Sequence, residues 1–255
     1  MINLALIEDW GTLNFFVLPG FRERTFAGPE GRLRTSIYVD TSQSLYEASN
    51  GKKHTDFALR WSHNAGDWDF GLSQFHGTNR DPILVPGSSS LGIPVFIPYY
   101  ELIDQSAVDV QAVKGNWLLK LEMISRKGQS DRYTALTTGF EYTWVGIFSS
   151  LIDLGLIGEY LYDERKSQAT TPFENDVTAG MRFTLNDVQS SELLMAFIID
   201  TENNDIMFNL EASRRLGDSL KLSADVRSFS NINQNSPIYS LRNDDHVQLE
   251  LAWYF

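Results

Sequence analysis

The sequence predicts an all-β fold, a transmembrane antiparallel β-barrel of about 12 strands with short periplasmic turns and long extracellular loops. Three observations lead to that prediction. The first is the C-terminal segment, which alternates between two sides and carries an apolar set at Val247, Leu249, Leu251, Trp253 and Phe255. A period of two that ends on an aromatic residue is typical of the last strand of a membrane barrel, whose apolar side faces lipid and whose polar side faces the lumen.

The second observation is the absence of a long apolar run. The longest one, Leu193 to Ile199, has seven residues, whereas a membrane-spanning helix needs about 20. A barrel strand needs only about 9 to 11 residues with every second one apolar. A mean hydropathy of −0.23 is therefore compatible with a membrane barrel.

The third observation is the spacing of the connections. With Phe255 placed at the periplasmic end, the turns on that side are all short, whereas four of the six connections on the other side are long. Those four long loops, at 19–53, 77–104, 163–175 and 229–245, contain all eight prolines. Proline is rare in the interior of a sheet because it has no backbone N–H to donate, so its distribution supports the same division into strands and loops.

The individual strands follow from alternation of apolar and polar residues. The phase is clearest where Val177, Ala179, Met181 and Phe183 alternate with polar residues and glycine. The region 94–104 is less defined, and its apolar residues could extend the fourth strand. In chain order the twelve predicted segments are 12–18, 54–63, 67–76, 105–113, 116–125, 133–144, 152–162, 176–185, 192–200, 205–213, 219–228 and 246–255.

The chain is predicted to be a single barrel domain over residues 1–255, because no internal repeat and no low-complexity linker divides it. The predicted location is a bacterial outer membrane, which requires a secretory signal. Met1 is followed by only six residues before Glu8 and Asp9, with no basic start and no adequate apolar core. Either the signal has been removed or the chain is a piece of something longer.

Composition excludes several classes of function. The formal net charge of −12 argues against nucleic acid as a partner, because phosphate binding needs a basic face. There is no cysteine, so disulfides, thiol nucleophiles and zinc–thiolate sites are excluded. No cofactor is expected.

The side chains predicted to face inward are rich in ionisable groups, ten acidic and five basic when Asp67 and Asp69 near the turn are included. A dry core could not hold them, since each unpaired buried charge costs several kcal/mol. The interior is therefore either a narrow aqueous channel or a plug cross-linked by ion pairs. The predicted pore-lining residues are Arg60, Asp109, Lys120, Glu122, Glu141, Asp153, Glu159, Arg182, Glu211, Lys221, Asp225, Arg227 and Glu250.

The partners predicted from the sequence are the lipid bilayer, lipopolysaccharide, the barrel-assembly machinery and small solutes. The terminal apolar set, Val247, Leu249, Leu251, Trp253 and Phe255, is the predicted assembly signal. The first long loop carries four arginines whose guanidinium groups could contact lipopolysaccharide phosphates, namely Arg22, Arg24, Arg32 and Arg34. The oligomeric state is left open.

An outer-membrane enzyme acting on lipid or glycan is the alternative from another class. The twelve-stranded phospholipases of this compartment carry His and Ser two residues apart, and none of the four histidines here has that serine. The nearest approach is His76 with Thr78 and Asn79, and Glu122 and Glu141 form a possible acid pair. No catalytic residue is predicted, because ion pairing in a lumen is the commoner role of such groups.

Two acidic loop clusters have the oxygen-rich character that calcium prefers, Asp200, Glu202 and Asp205 in one and Asp163 and Glu164 in the other. Neither has the 12-residue loop spacing of a dedicated calcium site. We therefore predict solvated loop charges and no metal.

The C-terminal half of the chain contains the segments GFEYTW at 139–144, DLGLIGEYLYDER at 153–165, PFENDV at 172–177, EASRRLGD at 211–218 and LRNDDHVQLELAWYF at 241–255. These segments resemble the closing part of a group of uncharacterised proteobacterial outer-membrane barrels, loosely similar to alginate-export and porin-like proteins. The segment LIEDWGTLNFFVLPGFRERTF at 6–26 resembles an internal stretch of the same proteins. The resemblance implies additional N-terminal strands, and without them the first and last strands of the twelve would have to pair directly. The group supplies no substrate or catalytic residue.

Together these observations predict an outer-membrane channel or porin for small polar or cationic solutes, narrowed or gated by the loops 19–53 and 77–104. A plugged structural or adhesion barrel is a further alternative.

Overall fold

A computed structural model describes residues 1–28, 30–31, 35, 37–128 and 131–255 of the chain. The described part is all-β, with a main sheet of thirteen antiparallel strands and a separate sheet of three strands. The strands are β1 (Ile2–Glu8), β2 (Gly11–Pro19), β3 (Leu45–Tyr46), β4 (Thr55–Ala65), β5 (Trp68–Thr78), β6 (Ile83–Ser88), β7 (Pro94–Tyr100), β8 (Leu102–Lys114), β9 (Trp117–Lys127), β10 (Tyr133–Trp144), β11 (Asp153–Asp163), β12 (Asn175–Thr184), β13 (Glu192–Asp200), β14 (Ile206–Leu216), β15 (Leu220–Ser230) and β16 (His246–Trp253).

The main sheet follows the order β1-β2-β4-β5-β8-β9-β10-β11-β12-β13-β14-β15-β16, and β3-β7-β6 form the small sheet. In this order β1 and β16 each have one neighbour. The only helices among the described residues are short 3-10 turns, at Thr41–Gln43, Gly51–Lys53, Ile147–Ser149, Lys166–Gln168 and Tyr239–Leu241. None of the described helices has the length and hydrophobicity that crossing a bilayer requires.

Each of the twelve predicted segments is a strand of the main sheet, and the sequence missed one further strand, β1. Ile2, Leu4 and Leu6 alternate, but Ala5 and Ile7 on the opposite side are also apolar and hide the period of two. The register reveals the strand, because Leu4 lies opposite Phe15 and Leu6 opposite Leu13. The uncertain region 94–104 divides between the two sheets, since β7 ends at Tyr100 and β8 begins at Leu102.

The four longest connections lie at one end of the strands, as predicted, but the lengths do not alternate strictly, since 145–152 and 185–191 at the opposite end are longer than 201–205. Short turns join β1 to β2, β4 to β5, β8 to β9 and β14 to β15, with at most three residues in each. The longer ones at the other strand ends include 20–54 and 79–101, which fold into the small sheet. The strand ends joined by these short turns are called the short-turn end, and the opposite ends the long-loop end.

The chain divides into two compact units, residues 1–110 with 122–136 and residues 111–121 with 137–255. The first unit contains the small sheet and most of the buried apolar residues, among them Val39, Val95, Tyr100 and Ile103. The second unit buries mainly polar residues near the long-loop end of its strands. The division falls within β8, β9 and β10.

The two faces of the main sheet differ sharply in polarity within each unit. In the second unit the apolar face is open, and Val247, Leu249 and Leu251 are 67%, 71% and 60% exposed. In the first unit Phe57 and Leu59 on β4 are exposed in the same way. The apolar face is therefore not the wall of a dry protein core. The opposite face, called here the polar face, carries the charged side chains.

Candidate functional site

The polar face of the second unit is defined by a row of paired residues across five strands. Arg182 on β12 lies opposite Leu194 on β13, which lies opposite Glu211 on β14. Glu211 in turn lies opposite Asp225 on β15, and Asp225 opposite Gln248 on β16. Because paired residues point to the same side of a sheet, the row places these groups on one surface.

An ion pair on this face crosses a whole strand. The guanidinium of Arg182 on β12 donates to the carboxylate of Glu141 on β10, with Nε to Oε1 at 3.1 Å and Nη2 to Oε2 at 3.4 Å. Gly155 on β11 lies opposite Arg182, and a Cβ there would collide with the Glu141 carboxylate. The absence of a side chain at Gly155 therefore allows the two charges to meet.

The first unit repeats the arrangement. Arg60 on β4 donates two hydrogen bonds to Asp109 on β8, with Nη1 to Oδ1 at 2.6 Å and Nη2 to Oδ2 at 2.8 Å. The strand between them, β5, presents Gly71, where a Cβ would collide with both charged groups. Each of these two ion pairs is thus built from three strands, a geometry that sequence alternation cannot reveal.

A third charged group lies near the middle of β15. Arg227 Nε donates to Asp225 Oδ1 at 3.2 Å, and His246 Nε2 lies 3.8 Å from the same oxygen. On the neighbouring strand, Asn209 Nδ2 donates to Glu211 Oε1 at 3.1 Å. The predicted pore-lining residues Arg227 and Asp225 therefore share one charged network, and Glu211 lies opposite Asp225 on the neighbouring strand.

Six charged residues of this face line an open groove of about 390 Å³. An adjoining groove of about 380 Å³ shares Glu192, Ser213 and Lys221 with it and extends toward the short-turn end. The sequence did not identify Glu192 as a residue of the polar face. The continuous apolar run that follows it leaves no alternation in β13 from which the direction of its side chains could be predicted. The charged residues of the first groove are Arg182, Glu192, Glu211, Lys221, Asp225 and Glu250.

The remaining predicted residues are not brought into this groove. Among the described residues, Lys120, Glu122 and Glu159 form no salt bridge. Asp153 serves the turn between β10 and β11, since its carboxylate accepts hydrogen bonds from Gly146 N and Asn186 Nδ2 at 2.9 and 2.8 Å.

At the long-loop end of the first unit, the polar face holds a completely buried carboxylate, Asp56, which is 0% exposed. It accepts hydrogen bonds from His54 Nδ1 at 2.7 Å and Thr78 N at 2.9 Å, and it pairs with Arg80 Nη2 at 2.6 Å. Arg80 also lies over the rings of Phe21 and Phe75, 5.0 and 5.6 Å from the ring centroids. The start of the second long loop is therefore packed against the polar side of β4 and β5.

The residues nearest to a hydrolase arrangement have structural roles here. His76 pairs with Phe57 on the apolar face, whereas Thr78 donates to Asp56. Asn79 closes the local turn through hydrogen bonds with the backbone of Asp81.

The acidic loop residues were predicted to be solvated, and for Asp163, Asp200 and Asp205 that prediction is wrong because all three are buried. Each is held by hydrogen bonds or an ion pair within the protein. Asp163 pairs with Arg165 at 2.7 Å, Asp200 accepts from the backbone N–H groups of Glu202 and Asn203, and Asp205 accepts from Asn233 N. Hydrogen bonds within and between loops therefore replace hydration of these carboxylates.

Two further acids, Glu174 and Asp176, are buried close to that cluster. Burial raises the pKa of Glu174, and the charges of Asp200, Glu202 and Asp205 raise it further, against a smaller lowering by its own backbone N–H. In the described part of the chain, no group of three or more acidic or histidine side chains has an arrangement able to hold a metal ion.

These observations define the class of protein only as far as the fold: an all-β chain with an antiparallel sheet, one face apolar and exposed and the other charged. No protein-family model matches the sequence, and no curated protein or solved structure matches the chain.

Proposed function

We propose that the chain forms a β-barrel in a Gram-negative outer membrane and acts as a channel for small polar or cationic solutes. The observation that carries the proposal is the exposed apolar face of the main sheet, set against an opposite face of charged side chains. A soluble protein would cover such a continuous apolar surface. Lipid covers it without any further protein, and water fills the charged side.

The charge on the polar face supports a preference for cations. The groove carries four carboxylates, Glu192, Glu211, Asp225 and Glu250, against the basic groups of Arg182 and Lys221. The charge of Arg182 is already balanced by Glu141. The net negative charge that remains would concentrate cations and repel anions.

The proposal requires both edges of the sheet to be paired in the membrane, because lipid cannot satisfy unpaired backbone groups. In the described sheet, β1 and β16 each have one neighbour. A closed barrel resists detergent at room temperature, so an unheated sample should migrate differently from a boiled one on a gel. Identical mobility would argue against a closed barrel.

Conductance across a planar bilayer tests the channel itself. Refolded protein should give discrete current steps, and a sample without them contradicts the channel. Glu211→Gln with Glu250→Gln should then shift the reversal potential toward lower cation preference. A matched pair at the short-turn end of β1, Glu8→Gln with Asp9→Asn, should leave that potential unchanged.

One observation favours a second candidate, a barrel plugged by its own loops. Arg80, just after β5, binds the buried Asp56 on the polar face, and the two longest loops are hydrogen-bonded to each other through β3 and β7. A plugged barrel would show the gel shift without conductance.

The terminal strand is proposed to be the signal read by the barrel-assembly machinery. Val247, Leu249, Leu251 and Trp253 lie on the exposed apolar side of β16, and Phe255 follows at the chain end. Exposed aromatic and aliphatic side chains on one edge strand are available for recognition before insertion.

A further inference from the structure

A basic concavity lies at the long-loop end of the first unit, beside the ends of β2 and β4. It has a volume of about 520 Å³ and is lined by Pro19, Gly20, Phe21, Arg22, Lys52 and Lys53. Three of these six residues are cationic and none is acidic. In a chain with a net charge of −12, such a local excess of positive charge calls for a specific explanation.

The backbone holds this concavity in a fixed form. Gly20 N donates to His54 O at 2.8 Å and Phe21 N to Lys52 O at 3.0 Å, so the pairing of β2 with β4 continues past the strand ends. Gly20 has a φ of +74°, and a Cβ there would lie 3.0 Å from Lys52 O. Glycine is therefore needed both for the backbone conformation and for the close approach.

The segment is also anchored from its other side. The ring of Phe21 packs against Tyr100 at 5.0 Å and Tyr46 at 6.2 Å between centroids. Tyr100 is fully buried. The cations are thus carried by an ordered rim rather than by a free loop.

In the part of the chain that the structure describes, no acidic side chain neutralises the positive charges of the concavity. Within the described residues, Arg22, Lys52 and Lys53 take part in no salt bridge. Arg24 differs, because it pairs with Asp81 and lies over Phe26. Arg32 and Arg34, which the sequence grouped with them, lie outside the described residues. Three cations that line one concavity, with no salt-bridge partner among the described residues, favour an anion with several oxygens, of which phosphate is the best match.

The position of the concavity indicates which phosphate. Lys53 lies four residues before Phe57, whose exposed ring stacks on Phe15 at 6.3 Å on the apolar face. Four residues span at most about 14 Å, so the basic groups lie near the edge of the surface that lipid tails would cover. Headgroup phosphates lie at that level of a membrane.

We propose that Arg22, Lys52 and Lys53 bind the phosphate groups of a lipid A headgroup at the outer rim of the barrel. The assignment rests on the membrane insertion proposed above, but not on channel activity. It retains Arg22 from the arginine set predicted by the sequence and adds two lysines from a separate segment.

Native mass spectrometry of the full chain in detergent can count bound lipid A with and without its phosphates. The wild-type chain should retain the phosphorylated lipid, and Arg22→Gln with Lys52→Gln and Lys53→Gln should weaken binding at least tenfold. The matched control removes three charges at the short-turn end, with Lys114→Gln, Arg214→Gln and Arg215→Gln, and should bind as the wild type does.

Equal retention by the triple variant and the wild type would overturn the proposal, as would equal retention of lipid A stripped of phosphate. Complete displacement by millimolar inorganic phosphate would also overturn it, because the site would then belong to a free anion. An unchanged melting temperature of the triple variant excludes misfolding as the cause of lost binding. A sample that binds phosphorylated lipid A but carries no current rejects the channel and retains this site.

Discussion

Asp56 and Asp109 are both paired with arginine on the polar face, but their surroundings lead us to expect different contributions to the free energy of unfolding. Asp56 is completely buried and has hydrogen bonds from His54 and Thr78 in addition to the pair with Arg80. The Asp109 side chain is 40% exposed, so water screens its pair with Arg60. Burial rather than pairing distinguishes the two.

The first prediction compares the two carboxylates. Asp56→Asn should lower the free energy of unfolding by about 2 kcal/mol, because several hydrogen bonds to a buried charge are weakened. Asp109→Asn, the exposed control, should cost less than about 1 kcal/mol. Urea unfolding followed by tryptophan fluorescence measures both, and equal losses would contradict the difference in burial.

The second prediction concerns pH. The pKa of Glu174 is raised from its ordinary 4.5 by burial and by nearby carboxylates. The folded chain therefore binds this proton more tightly than the unfolded chain, and ionised Glu174 destabilises the fold at neutral pH. The penalty disappears as the pH falls through the raised pKa toward the ordinary value.

Glu174→Gln should consequently melt a few degrees higher than the wild type at pH 7.5. The difference should shrink as the pH falls and vanish below the ordinary pKa. Melting curves of both proteins from pH 4 to 8 provide the check. A difference that stays constant with pH would show that Glu174 is not the group responsible.

At the scale of the element, alternation was enough to find the strands that have one apolar and one polar side. β12 is the clearest case, since Val177, Ala179 and Met181 keep a strict period of two. β1 was not predicted because both of its sides are largely apolar. The small sheet was not predicted for another reason. The prolines at 86, 94 and 98 indicated a loop, although they lie inside β6 and β7.

The third prediction tests the small sheet. Tyr100 is fully buried between Phe21 and Tyr46, and its hydroxyl accepts a hydrogen bond from Arg24 N at 3.0 Å. Tyr100→Ala should destabilise the small sheet by about 3 to 5 kcal/mol. Limited proteolysis should then cut within 82–99, while the main sheet stays intact.

Tyr38→Ala provides the control, because the Tyr38 side chain is exposed. It should leave the proteolytic pattern unchanged. Protection of 82–99 in the Tyr100 variant would mean that the aromatic cluster does not hold the loops together.

For the molecule as a whole, the decisive property is which face of the sheet meets water. On β16, Leu249 and Gln248 are consecutive residues on opposite faces. Leu249 pairs with Ala224, and Gln248 pairs with Asp225 of the charged network. The membrane proposal requires lipid on the first side and water on the second.

The fourth prediction uses the absence of cysteine from the chain. In lipid vesicles, Gln248→Cys should react with a water-soluble maleimide, whereas Leu249→Cys should be protected and react with a lipid-soluble maleimide. Labelling measured by mass spectrometry distinguishes the two. Equal reaction of both positions with the water-soluble reagent would contradict lipid contact at this strand.

Alternation of apolar and polar residues was sufficient to predict the all-β class, twelve of the thirteen strands of the main sheet and, in the strands where the alternation is clear, the charged side, because a strand's period of two is local. The tertiary structure alone decided that Arg60 meets Asp109 across Gly71 and Arg182 meets Glu141 across Gly155. It also decided that the two longest loops fold together and that Arg22 joins Lys52 and Lys53. Those contacts depend on register between distant segments, and register is fixed only when strands pair.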